Sequence, residues 1–498
     1  MGVVFRQSIK TTAFTFLGAA LGAVIVLVGS NVMPKQELGF SRNLTNQTVV
    51  ASFFMLMGMA NTLFLYFHRF DAEREKERRS VFMSLCFLVP LVVFVVAMIP
   101  YFLFQDFLIN KFFQEVDRPF MKQYLLCFPL FTLFYLYTSL LEHYMLTQMK
   151  SAVASFVREV LLKALNLGLI LLYGFDLINY DVFIYSFVFV NLLAVFILVL
   201  LARKNDSFRF STQWNLLDKT EYKEIFRFSG YHALMSISFS LFGFLDAILL
   251  ASLNHDGLNA VPVYTNAVFI SSVLSIPYRS MNGIASADIS KSYALGQYEK
   301  VKDSYSRSAL NIFIATIFVC VVILCNLHNA VIIMGKGYEA VFVVTLIMMI
   351  GKLVDSGTGL NDVALNMSPY FKLNFYFSIG LVLFMLLAFR IFIPEYGIYG
   401  AAWVFSISLI LYNLLKTFFV WRKMDLQPYS KGTLASLFIG LAVTAMVFFL
   451  PKLENPYLDT VYRSGIIVIL FVSLVFWIKP SKDISHYVNE TLKKKKLF

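Results

Sequence analysis

Runs of about twenty apolar residues recur from one end of this 498-residue chain to the other. Each is long enough to cross a hydrocarbon layer as a helix. The plainest runs cover residues 11–33, 45–67, 81–104, 182–202, 258–284, 308–327, 396–415 and 432–450. Six more, at 123–146, 156–175, 228–252, 339–358, 373–391 and 461–478, carry ionisable residues in or beside them. Those can still insert, because a Lys or Arg near a helix end reaches the headgroups. The expectation is an all-α polytopic membrane protein with fourteen crossings.

Composition agrees. Charged residues make up 14% of the chain, where a soluble domain carries about a quarter. No connection exceeds about 25 residues, so there is no room for a soluble catalytic or nucleotide-binding domain. Gly335-Lys336-Gly337 is followed by Tyr338 and lacks the spacing of a phosphate-wrapping loop. The run Thr11–Val32 reads as a span and not as a cleaved signal, since no A-x-A site follows it. Cys86, Cys127, Cys320 and Cys325 all lie in apolar runs and read as small apolar side chains.

The net charge of +12 is a matter of topology. With the N-terminus in the cytoplasm, and with Arg158, Lys163, Arg390 and Arg463 counted with the connections they border, inside segments carry 31 of the 42 Lys and Arg and outside loops carry 9; Arg279 and Lys352 fall within spans. That bias places both termini inside. The basic tail, with Lys493–Lys496, then faces anionic membrane lipids and not nucleic acid.

Three fragments recur at nearly constant offset. Phe5–Ser8 (FRQS) is echoed by Phe226–Ser229 (FRFS), Glu75–Ser80 (EKERRS) by Glu299–Ser304 (EKVKDS), and Arg203-Lys204 by Arg422-Lys423. Each pair sits at the same topological position. The chain is therefore expected to hold an N-terminal six-helix bundle (1–204), a cytoplasmic linker (205–226), a second six-helix bundle (227–423), two extra helices (424–479) and a basic tail (480–498). Six spans per half keep the halves in one orientation, a parallel repeat about an axis along the membrane normal, with a cavity between the halves and alternating access by rocking.

Polar residues inside the spans are the candidate site. Ser272, Ser275, Arg279, Asn282, Gly283 and Ser286 share one face of the eighth span, while Ile270, Leu274, Met281 and Ile284 share the other. An arginine in the middle of a membrane helix costs about 2.5–3.5 kcal/mol on the insertion scale, so it needs a partner, water or a function. Pro277 removes the donor for the carbonyl of Val273, one nearby acceptor for that arginine. Span seven carries a second stripe: Ser229, His232, Ser236, Ser240, Gly243 and Asp246. Gln47, Gly58, Asn61 and His68 recur at helical spacing on span two, and Thr11, Thr15, Gly18 and Gly22 form a small-residue stripe on span one that suits close helix packing. Arg6 and Lys10 stand at the cytoplasmic mouth of span one, where they either snorkel or capture substrate. Lys352 and Asp355 are expected to pair. Glu142, His143, Arg158, Glu159 and Lys163 flank a cytoplasmic turn as interface charges. No cofactor site, metal-ligand spacing or nucleophile–base arrangement can be read, so the chain is not expected to be an enzyme.

Met334–Ala340 (MGKGYEA), Tyr396–Trp403 (YGIYGAAW) and Leu360–Lys372 (LNDVALNMSPYFK) resemble the loops around spans ten and twelve of the MOP exporter superfamily. Length, layout and the FRQS-type opening resemble its polysaccharide (Wzx-like, O-antigen) flippase branch. That resemblance implies a V-shaped pair of six-helix bundles in the bacterial cytoplasmic (inner) membrane. It implies a multi-pass flippase that carries an undecaprenyl-pyrophosphate-linked oligosaccharide to the outer leaflet, making and breaking no bond. A polysaccharide polymerase and glycosyltransferases are its implied partners, and H+ or Na+ its implied coupling ion. Arg279 then serves the pyrophosphate, with Lys10 and Arg6 as further cations. Ser272, Ser275, Asn282, His232, Ser236, Ser240 and Asn61 serve the sugars, and Asp246 is the candidate for ion coupling. Two other branches remain alternatives. A lipid II flippase would place several arginines in the first two spans, where this chain has only Arg6 and Lys10 at the entrance. An ion-coupled multidrug exporter of small cations commonly uses a membrane-embedded acid, a role open to Asp246.

Overall fold

Backbone amides and carbonyls that leave water must find partners within the chain, which long apolar runs achieve as helices. The computed structural model describes residues 3–70, 75–358, 360–481 and 483–484, and every regular element among them is helical. By internal packing the chain forms two compact units, Met1–Pro262 and Val263–Phe498.

The first unit holds α1 (Val3–Val32), α2 (Lys35–Leu56), α3 (Met59–Tyr66), α4 (Lys76–Leu103), α5 (Gln105–Phe112), α6 (Arg118–Gln123), α7 (Cys127–Thr147), α8 (Ser151–Ser155), α9 (Leu162–Gly174), α10 (Tyr180–Ala202) and α11 (Lys219–Leu253). A π-helical turn, Phe156–Leu161, joins α8 to α9. One core gathers Leu63, Phe82, Leu141, Tyr144 and Leu198; another gathers Phe40, Phe131, Phe183, Ile184 and Leu258. Asp117, fully buried, accepts from Gln36 Nε2 at 2.8 Å and from the Leu258 amide at 2.9 Å, which ties two loops of the unit together.

Span two is bent by 57° where α2 meets α3. Met57 and Gly58 both take positive φ there, 48° and 74°. The break lets α11 approach to backbone contact. A Cβ on Gly58 would lie 2.1 Å from the Ser229 carbonyl oxygen, and the Ser229 hydroxyl donates to the carbonyl of Met57. Tyr66 of α3 also meets Phe228 of α11, with ring centroids 4.6 Å apart. The seventh span therefore packs within the first unit, and the boundary between units by packing falls at 262/263, after the expected linker.

A helix α12 (Ala260–Ser272) leads into the second unit, which holds α13 (Ile276–Ala294), α14 (Tyr298–Met334), α15 (Ala340–Gly357), α16 (Asn361–Asn366), α17 (Phe371–Met424), α18 (Lys431–Phe448) and α19 (Pro456–Ile478). The 54-residue α17 contains both expected runs 373–391 and 396–415, with non-helical backbone at Gly397 (φ 55°, ψ −133°), inside YGIYGAAW. Three residues on, a Cβ at Gly400 would meet the Phe392 carbonyl oxygen at 2.2 Å, so the two halves of α17 approach closely at this turn. Helices α18 and α19 pack on α14 through Ile317, Val321, Val443, Ile467 and Phe471. The turn between them is pinned by a buried ion pair. Arg463 Nε lies 2.6 Å from Asp459 Oδ2, and the guanidinium also donates to the carbonyls of Val447 and Leu450 at the end of α18.

Among the described residues, ten helical segments are long and apolar enough to cross a membrane, eleven when the bent α2/α3 pair counts as one. Large apolar side chains such as Phe239, Phe438, Ile469 and Trp477 stand exposed along these segments. That surface suits lipid and not water.

Candidate functional site

The face predicted around Arg279 begins at a helix break. After α12, residues Val273–Ser275 form one 3₁₀ turn, and Pro277 occupies the first turn of α13, where its missing N–H costs nothing. The carbonyl of Val273, expected to lose its donor to Pro277, instead accepts from the Ile276 amide. The next carbonyl, that of Leu274, accepts from the Ser356 hydroxyl of α15 at 3.3 Å. The local backbone thus has its own donors.

Arg279 is exposed, and among the described residues it makes no hydrogen bond or ion pair. Beside it, a Cβ on Gly283 would meet nothing within 4 Å, so this face of α13 is open. Asn282 is half-buried; its Oδ1 accepts from Ser286 Oγ at 3.1 Å. Ser272 donates to the Phe269 carbonyl at 2.7 Å. Ser275 is buried, with no partner for its hydroxyl among the described residues.

The stripe on α11 is divided in use. Ser229 is occupied by Met57, and Ser236 Oγ accepts from Asn61 Nδ2 at 3.0 Å, joining two residues predicted to meet sugar. Ser240 is buried and donates to the Ile237 carbonyl at 2.9 Å. His232 is half-buried and its ring lies tilted against Phe228, centroids 4.4 Å apart. Asp246 is buried, and its Oδ1 accepts from the Ala247 amide at 2.8 Å. On α1, Lys10 is exposed, while the side chain of Arg6 lies outside the described residues, as do Lys493–Lys496. The close packing expected of the stripe on α1 is seen at Gly18, where a Cβ would come within 2.7 Å of the Glu159 carbonyl oxygen.

The expected pairing of Lys352 with Asp355 is corrected by the structure. Lys352 lies over the Phe405 ring at 5.4 Å, and Asp355 accepts from Asn413 Nδ2 at 2.8 Å. Both partners come from α17, which packs along α15 and offers contacts that spacing along one helix does not reveal.

That seam also holds a cation missed by sequence reasoning. Lys416 has a fully buried side chain (1% exposed), with Nζ 2.5 Å from Oδ1 of Asp362, which is 47% exposed. Its ammonium also lies 3.9 Å from the centre of the Tyr412 ring. A hydrogen-bonded chain runs beside it. Tyr305 donates to Asn361 at 2.5 Å, Asn361 to Thr417 at 2.8 Å, and Thr358 to Asn413 at 3.2 Å. Lys416 follows directly on the run 396–415, so the charge count places it in a loop. Its one visible signal is Asp362 within LNDVALNMSPYFK.

The second unit also contains an apolar cavity of about 530 Å³, lined by Met281, Ile314, Phe318, Phe471, Val475 and Phe476. Asn311 and Asp483 on its wall are joined by a hydrogen bond of 2.6 Å.

Neither a family model nor a curated protein matches the chain by sequence. Solved structures match it by fold. The lipid II flippase MurJ in an inward closed conformation superposes with a TM-score of 0.75 at 13% identity, over 94% of this chain and 98% of that one. An inward-facing multidrug resistance MATE family transporter of the MOP superfamily gives 0.68 at 12% identity, over 84% and 98%. A MOP superfamily transporter from Pyrococcus furiosus gives 0.57 at 13%, over 85% and 95%. This chain is thus an all-α, multi-pass membrane protein. Its fold is the one shared by these MOP superfamily transporters.

Proposed function

We propose that the chain is a flippase of lipid-linked oligosaccharide. It moves a polyprenyl-pyrophosphate-linked repeat unit from the cytoplasmic to the outer leaflet of a bacterial cytoplasmic membrane by alternating access. Fourteen crossings with both termini inside belong to this reading. The observation that carries it is Arg279: an exposed guanidinium with no partner among the described residues, on a membrane-crossing segment with open space beside it. Such a group is costly unless something anionic meets it, and its fork fits phosphate oxygens in two places at once. Asn282 and Ser272 supply amide and hydroxyl groups on the same face for sugar. The apolar cavity near Phe318 and Phe471 supports a substrate with a hydrocarbon chain. No bond changes; transport follows from different affinities in the two access states. A glycan polymerase and glycosyltransferases are the expected neighbours in the cell.

The test is translocation of a fluorescent polyprenyl-pyrophosphate oligosaccharide in proteoliposomes. Wild type should move it and Arg279→Ala should not; equal rates would remove Arg279 from the site, and no transport by the wild type would remove the reading itself.

A second reading, ion-coupled export of small cations, is favoured by the buried carboxylate of Asp246. It requires Asp246→Asn to abolish drug efflux while Arg279→Ala leaves surface polysaccharide unchanged.

A further inference from the structure

The charges of α7, the π-helical turn and α9 converge inside the first unit. Glu142 Oε2 lies 2.5 Å from Arg158 Nη2. Lys163 Nζ donates to Glu159 Oε2 at 2.7 Å and to the Gly18 carbonyl of α1 at 3.0 Å. The π turn, a geometry that recurs at functional sites, sets Arg158 and Glu159 side by side.

The Glu142–Arg158 pair is lopsided. The glutamate side chain is 7% exposed and the arginine 46%. Glu142 Oε1 is buried with no hydrogen-bond partner among the described residues, and the same is true of the Thr138 hydroxyl, one turn earlier on the same face of α7. A buried carboxylate oxygen without a donor is costly. A proton on Oε1 removes that cost. It also cancels the charge that holds Arg158, which already stands half in the open. The cluster has two acids and two bases, so it is neutral with Glu142 ionised and carries one positive charge with Glu142 protonated.

We propose that Arg158 is an anion site for phosphate or pyrophosphate oxygens, masked by ionised Glu142 and unmasked when Glu142 takes up a proton. The other groups facing the pair are Tyr135 and His143 on α7, Glu159 on the π turn and Lys163 on α9. His143 lies with Nδ1 2.8 Å from the Ser139 carbonyl, and Glu159 is held by Lys163. Proton and anion bind together, so the anion binds more tightly as pH falls, and by linkage its binding takes up a proton. That the anion is a lipid headgroup rests on the flippase reading; the site itself does not.

The experiment is calorimetric titration of the purified full chain in detergent with inorganic pyrophosphate, from about pH 8 down to about pH 5, in buffers of different ionisation enthalpy. Wild type should gain about tenfold in affinity on acidification and take up about one proton per anion. Glu142→Gln, which keeps the shape, should bind tightly throughout with no proton uptake, and Arg158→Gln should lose binding. The proposal is overturned if wild-type binding ignores pH, if Glu142→Gln titrates as wild type does, or if Arg158→Gln binds equally well. Should a variant fail to fold, infrared difference spectra of the wild type across the same range decide: a buried carboxyl band must appear at low pH, and its absence overturns the proposal. A polyprenyl pyrophosphate in nanodiscs that displaces pyrophosphate marks the lipid headgroup as the source. Binding of the free anion with no displacement upholds the site and counts against the headgroup.

Discussion

Asn61 on α3 donates through Nδ2 to the hydroxyl of Ser236 on α11 at 3.0 Å, so two residues predicted to contact a sugar hold each other. A pair of this kind adds about 1 kcal/mol to folding. Asn61→Ala and Ser236→Ala should each lower the thermal midpoint in detergent, and the double variant should lose little more than either single change. Full additivity would show that the two groups act apart.

Arg279→Lys separates geometry from charge. If two-pronged contact with phosphate matters, lysine should restore expression and only part of the transport lost in Arg279→Ala, read as initial rates in proteoliposomes. Full activity with lysine would leave only a point charge at work.

Lys416 and Asp362 are coupled asymmetrically. Asp362→Asn strands a buried ammonium, which costs about 3–5 kcal/mol for a buried pair. Lys416→Met leaves behind a carboxylate that is half exposed, and should be milder. Thermal unfolding of both variants checks the order, and the reverse order would contradict the burial seen here.

Gly58→Ala should be severe. The added methyl meets the Ser229 carbonyl at 2.1 Å on a backbone with φ 74°, and overpacking with left-handed strain together cost about 2–5 kcal/mol. Gly230→Ala, whose Cβ would meet nothing within 4 Å, is the matched control and should be neutral or slightly stabilising. Equal midpoints for the two would refute the close approach of α11.

The residues show which part of this molecule is legible in its sequence. Apolar runs become helices because length and hydropathy leave the backbone no other course, but period-3.6 spacing does not foresee the 3₁₀ turn at Val273–Ser275 that separates Ser272 from Arg279. Local spacing fails where a partner comes from a distant helix. Asp355 meets Asn413 in place of Lys352, and Ser229 meets Met57. Lys416 shows the same limit: it ends an apolar run and reads as a loop cation until α16 brings Asp362 to it. Glu142 and Arg158 were visible as charges near a turn, but their unequal burial arises only from packing.

The bare backbone at Gly58 has a practical meaning for anyone who divides the gene. The repeat expected from sequence makes α11 the opening helix of its second half, yet α11 packs on α2 and α3 within the first unit. Two separately translated polypeptides divided between α11 and α12 keep that seat intact, whereas a cut within 205–226 puts α11 and its seat on different chains. Fragment complementation should therefore tolerate the first break far better than the second.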